Sequence, residues 1–110
     1  MSKEKRWYVS GPMSGLPNLN HPAFNAEAER LRAAGHFVIN PAELDLDEGA
    51  TWEDYMRANL VQLASACNAI RMLKGWVNSR GARLEWQVAC ALGFTVEYVE
   101  DEAPAVAGEA

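Results

Sequence analysis

Glu85 is the side chain best placed in this sequence to do chemistry. It follows Ser79-Arg80-Gly81-Ala82-Arg83-Leu84, a stretch that begins as a turn and continues as a helix. Leu84, Val88, Ala91 and Leu92 recur at helical spacing, and Gly93 is a fitting stop. Ser79 stands where a short hydroxyl caps the first unpaired N–H groups. Those groups and the helix dipole also favour an anion. Glu85 falls one to two turns in, on the side of Gly81, Val88 and Leu92. The helix end can hold an anionic substrate, and the carboxylate then faces it. Ordinary helix preferences compete with this reading. Glu suits early turns because of the dipole, and Ser before a helix is commonly only a cap.

The elements that would position this pair follow from the hydrophobic pattern. Ala69-Ile70-Arg71-Met72-Leu73 precedes the turn and reads as a buried strand opened by Asn68. Arg71 is out of place in a central strand, and an ion pair or a solvent-reaching end would account for it. Trp7-Tyr8-Val9 is a first strand, and Ser10-Gly11-Pro12-Met13-Ser14-Gly15-Leu16-Pro17 is a turn-forming loop after it. The loop is not GxGxxG, so it is no dinucleotide fingerprint. It still leaves the end of a strand where open α/β sheets bind ligands.

A helix is predicted from Pro22, with Asn20 or His21 as cap and Gly35 as stop. Phe24, Ala28 and Leu31 share its inner face, while Glu27, Glu29, Arg30 and Arg32 point mostly to water. His21 reads as a local cap or surface residue. His36-Phe37-Val38-Ile39 is a second strand, broken by Asn40-Pro41. The acidic stretch 42–50 lacks the spacing and glycine of a calcium loop and reads as solvated. Thr51 and Asp54 form a capping-box-like pair at the next helix. Trp52, Met56, Leu60 and Leu63 make its apolar stripe, which Asn59 borders. Phe94 to Val99 alternates as an edge strand with one wet face.

Strands alternating with helices predict an α/β, three-layer, doubly wound and mostly parallel sheet, flavodoxin- or Rossmann-like. Right-handed crossovers favour strand order 2-1-3-4. The loops after the first and third strands then meet at the switch point. One domain is expected over residues 1–99, with 100–110 an acidic Ala/Pro-rich tail without order.

With 110 residues and 49% hydrophobic content, the chain can build a core. A net charge of −5 argues against a nucleic-acid polymer as partner, though not against a single nucleotide. Cys67 and Cys90 lack metal-ligand spacing and read as small buried residues in a reducing compartment. No signal peptide or membrane span is apparent, so a cytoplasmic protein is expected.

The residues resemble a known family. Tyr8-Val9-Ser10-Gly11-Pro12-Met13, Pro22-Ala23-Phe24-Asn25, Asn40-Pro41-Ala42-Glu43, Trp52, Tyr55-Met56-Arg57, Cys67, Gly75-Trp76, Ser79 to Glu85 and Ala91-Leu92-Gly93 are similar to small phage and bacterial nucleoside 2-deoxyribosyltransferase-like proteins. The resemblance covers nearly all of the chain except its tail. It implies N-glycosidic bond cleavage or transfer on a (deoxy)nucleoside or nucleoside 5′-monophosphate. By resemblance, Glu85 takes the place of the nucleophilic glutamate. Ser79, with the backbone at Gly81, resembles a phosphate or 5′-hydroxyl pocket. Tyr8, Ser10, Gly11, Pro12 and Met13 fall in the segment that lines base and sugar. The family usually carries Asp where this chain has Asn59 and again where it has Asn68. The first resembles an acid that serves the leaving base, and an amide has no titrating proton to give.

The implied chemistry needs these residue types. Breaking an N-glycosidic bond builds positive charge on the sugar, which a carboxylate below C1′ stabilises or traps as an ester. The departing base needs a proton or hydrogen bond. Ser79 and Glu85 are separated by roughly 9 Å along the helix axis, room for a 5′-phosphate at the helix end and C1′ at the carboxylate. No metal and no other cofactor is implied. A homodimer or higher homo-oligomer is expected, since the superfamily completes its sites across subunit contacts and four Trp occur in a small domain. The alternative function is a nucleotide-binding accessory protein that has lost the acid at Asn59; a phage interaction protein is a third reading.

Overall fold

The computed structural model describes residues 5–99; the expected tail, 100–110, lies outside them. Strands β1 (Arg6–Ser10), β2 (Phe37–Ile39), β3 (Ala69–Met72) and β4 (Thr95–Tyr98) form one parallel sheet in the order β2-β1-β3-β4. Three helices connect them: α1 (His21–Ala33), α2 (Trp52–Ala66) and α3 (Arg80–Ala91). The expected order 2-1-3-4 is therefore the observed one.

Alternation along β1 divides the core in two. Trp7 and Val9 point to one face, where Phe24, Ala28 and Leu31 of α1 cover them together with Val38, Ala69 and Leu73. Tyr8 points to the other, among Leu63 of α2, Ala82 and Ala89 of α3, Ile70, Met72 and Trp76. Residues two apart on a strand share a face, so Ser10 follows Tyr8 toward α3.

Arg71 has its account here. Its Nε lies 2.8 Å from Glu27 Oε2 on α1, it pairs with Glu97 on β4, and its guanidinium lies 5.5 Å from the Trp7 ring centroid. Glu27 is thus buried, not turned to water as the sequence led us to expect. Arg30 also pairs with it.

The caps follow the sequence in two helices of three. Thr51 and Asp54 form a reciprocal capping box on α2, and Ser79 Oγ accepts from Ala82 N at 3.1 Å on α3. At α1 the expected cap fails. Asn20 holds the N-cap position but donates its amide to Pro12 O at 2.9 Å instead. Cys67 is buried as expected, and burial pushes its thiol up to about 11; Cys90 is exposed, contrary to expectation.

The apolar stripe read for α3 also differs. Its buried residues are Ala82, Glu85 and Ala89, whereas Leu84 and Leu92 are exposed. Small alanines let α3 approach the sheet closely. Among the described residues, no helix is long and apolar enough to cross a membrane.

Candidate functional site

A cavity of about 560 Å³ opens at the C-terminal ends of the strands. Gly11, Pro12, Met13 and Ser14 after β1, Pro41 and Leu44 after β2, and Asn78 to Ala82 after β3 contribute to its walls. The β1 and β3 loops therefore meet at the switch point, where this topology places ligands. Helix α2 adds Trp52, Tyr55, Met56 and Asn59, and α1 adds His21 and Phe24.

Glu85 reaches this cavity from α3 and is only 5% exposed. Tyr8 Oη donates to its Oε2 at 2.7 Å, and Ser10 Oγ donates to its Oε1 at 2.7 Å. Each carboxylate oxygen thus has one short hydrogen bond from the same strand face, which fixes the plane of the group. Burial pushes the Glu85 carboxyl up to about 7, against the opposing pull of the two hydroxyls. The Tyr8 hydroxyl is raised well above its ordinary range by burial and by the neighbouring carboxylate. It stays a proton donor throughout the neutral range.

The sequence-derived site divides into two shells. Gly11, Pro12, Met13, Asn59, Ser79, Gly81 and Glu85 all line the cavity. Tyr8 and Ser10 do not; both are fully buried behind Glu85 and hold it. Their two-residue spacing on a strand was the legible signal for this shared direction. Two glycines make room. A Cβ on Gly11 would lie 2.7 Å from Leu73 Cβ, and one on Gly81 3.2 Å from Met56 Sδ. The second would make the Met56 sulfur on the α2 wall give way by a few tenths of an ångström.

Several cavity residues were missed or underrated. Trp52 was read only as part of an apolar stripe. It is half-buried in the wall, and the Arg80 guanidinium carbon lies 4.0 Å from its ring centroid. A cation on an aromatic face is worth about 0.5–1 kcal/mol at an exposed site, so the pair orients Arg80 at the mouth. His21, read as a cap or surface residue, lines the cavity. It is delivered by an unusual turn. Asn18, Leu19 and Asn20 all have left-handed backbones, with φ of 53°, 52° and 59°. Asn tolerates that region, but a branched residue such as Leu19 pays about 1–2 kcal/mol there. The Asn20 amide on Pro12 O ties the turn to the β1 loop.

Among the described residues, no group of three His, Cys, Asp or Glu side chains could hold a metal ion. The N-terminus of α3 is the remaining electrostatic feature. Helices leave their first N–H groups without intrahelical partners, and the dipole there attracts an anion. Ser79 caps one of these groups, and Arg80 adds positive charge beside the cavity.

A family model described as a domain of unknown function, DUF4406, matches residues 5–98. The chain belongs to the DUF4406 family. The match spans β1 through the end of β4, so every strand and helix of this DUF4406 domain, and every cavity residue, falls within it. No curated protein matches the chain in sequence.

Proposed function

We propose that the protein cleaves or transfers the N-glycosidic bond of a (deoxy)nucleoside or nucleoside 5′-monophosphate, with Glu85 as the nucleophile. One observation carries this reading: a buried carboxylate, held through both oxygens by Tyr8 and Ser10, at a cavity on the sheet's switch point. A carboxylate so fixed can sit below C1′, meet positive charge as it builds on the sugar, and form a glycosyl ester that water or a second base resolves. The cavity volume falls within the range of small-ligand pockets. Trp52, Tyr55 and Met56 offer apolar and aromatic surface to a base. A 5′-phosphate would sit at the α3 N-terminus, near Arg80.

Chromatography of (deoxy)nucleosides and their 5′-monophosphates after incubation with the protein tests the reading directly. Free base should appear, fastest from monophosphates. Ligand-dependent melting without turnover would instead favour a nucleotide-binding protein, the reading that the amide at Asn59 supports. The phosphate position has its own check. Charge-assisted hydrogen bonds at the helix end should make monophosphates bind more tightly than nucleosides. Ser79→Ala should narrow that gap by loosening the first turn of α3. Calorimetry showing equal affinities, or no effect of Ser79→Ala, would remove the phosphate site.

A homo-oligomer belongs to the same proposal. Trp7 and Trp76 are core residues, so the four tryptophans support it less than their number implied. The exposed Leu84 on α3 and Leu92 just after its end support it better, being 37% and 54% accessible. Sedimentation should show a species larger than a monomer at micromolar concentration, and only monomer would rule this out.

A further inference from the structure

We infer that His21 is the proton donor to the leaving base, the task for which Asn59 has no proton. The inference rests on the glycosidic reading of the Glu85 cavity. Among the described residues, the titratable side chains lining that cavity are His21, Tyr55, Arg80 and Glu85. Glu85 is committed to the sugar. Arg holds its proton at all ordinary pH values. A phenol is a far weaker acid than an imidazolium, and the Tyr55 oxygen accepts from Leu46 N at 3.4 Å, which holds the ring against the loop before α2. Histidine is the side chain most often used as a general acid and base, and His21 is the one that remains.

Its placement supports the role independently. The chain enters α1 through three consecutive left-handed residues, none of them glycine, and His21 is the next residue. Strained backbone of this kind persists where surrounding structure holds it, and it gathers at ligand clamps and active sites. The clamp here is the Asn20 amide on Pro12 O, which fixes the turn to the loop that forms another wall of the same cavity. A histidine serving only as surface or cap needs no such approach, and the helix is not capped by it.

The step balances as follows. Glu85 Oε attacks C1′, and the C1′–N bond breaks with its electron pair moving to the base. Protonated His21 gives its N–H proton to a base nitrogen, so the base leaves neutral. Water then attacks C1′ of the glycosyl ester, the C1′–Oε bond breaks to regenerate the carboxylate, and neutral His21 takes the proton from water.

The decisive experiment compares leaving groups that do and do not need that proton. The four unmodified 2′-deoxynucleoside 5′-monophosphates need it; 7-methyl-2′-deoxyguanosine 5′-monophosphate carries its positive charge already and leaves as a neutral base. In the first turnover, before water resolves the ester, His21→Gln should slow release from the unmodified nucleotides about 10²- to 10⁴-fold and leave the methylated one within about threefold. Free imidazole should restore His21→Ala on the unmodified nucleotides. Equal losses on both kinds of substrate, or no loss on the unmodified ones, would overturn the assignment while leaving the Glu85 chemistry standing. Glu85→Gln should lose both kinds. Full turnover in that variant, or no release by the native protein from any of these nucleotides, would overturn the glycosidic reading and the His21 role with it.

Discussion

Glu85→Gln should abolish base release and, above neutral pH, make the protein harder to unfold. The loss of activity follows from the proposed chemistry. An amide keeps the shape but can neither form a glycosyl ester nor balance a developing positive charge, so a drop on the order of 10³-fold or more is expected. The gain in stability follows from burial. The Glu85 carboxyl stands at about 7 in the fold, against about 4.3 in an unfolded chain. Between these values the folded state holds a proton that the unfolded state has released. The group's favourable contribution is therefore whole below the unfolded value and is lost as pH rises through about 7. At pH 8 the native protein bears a cost of about 3 kcal/mol for the buried charge.

Glutamine carries no such cost. Its carbonyl can accept from one hydroxyl, and its amide can donate to the other, so Tyr8 and Ser10 stay paired. Melting of Glu85→Gln and native protein should nearly coincide at about pH 4 and separate at pH 8, the variant melting higher by on the order of 10 °C. Equal melting at both pH values would remove the buried charge from the site. The same titration should shape catalysis. Because the attacking group is the carboxylate, release from 7-methyl-2′-deoxyguanosine 5′-monophosphate, which needs no proton from His21, should rise as pH increases through about 7. A rate already flat across that range would separate the ionisation of Glu85 from the rate-limiting step.

The sheet order was legible because strand and helix periods alternate cleanly and right-handed crossovers leave few arrangements. The position of Glu85 was legible too, from its distance along a helix that starts at Ser79. The inner face of α3 was not. Leu84 and Leu92 outweigh two alanines in any count of apolar residues, yet both are exposed, while Ala82 and Ala89 are buried with Glu85 between them and Val88 packs partly against the same core. A helix that carries a carboxylate on its buried side inverts the ordinary hydrophobic pattern. The Arg71–Glu27 pair was hidden for a related reason. Arg71 stood out in its strand and an ion pair was one account of it, but Glu27 was read as turned to water, and only the fold shows that the two pair across the β3–α1 interface. His21 was hidden because its direction depends on a left-handed turn of Asn18, Leu19 and Asn20; the residue types at those positions do not require one.

Asn59→Asp should change base release little in the native background and raise it about tenfold or more once His21 has been replaced by Gln. Asn59 lies on the cavity side of α2, beyond Trp52 and Met56, and is half-buried. A carboxyl at this position would be partly desolvated and would share the cavity with Glu85. Both effects disfavour its charged form and raise its pKa, while Arg80, which lines the same cavity, pulls the other way. A carboxylic acid kept protonated toward neutrality by such surroundings can serve as a general acid. If His21 already supplies the proton, a second donor adds little to the native protein beyond a better-placed hydrogen bond. In the His21→Gln background the new acid replaces a missing function, and recovery of at least a tenth of the native rate is expected. The measurement is base release from unmodified 2′-deoxynucleoside 5′-monophosphates by the native chain, each single variant and the double variant, with circular dichroism to confirm folding. Recovery confined to the double variant would identify proton delivery as the step that both residues can perform from different walls of one cavity. Folded Asn59→Asp protein without gain in either background would show that this wall lies out of reach of the leaving base.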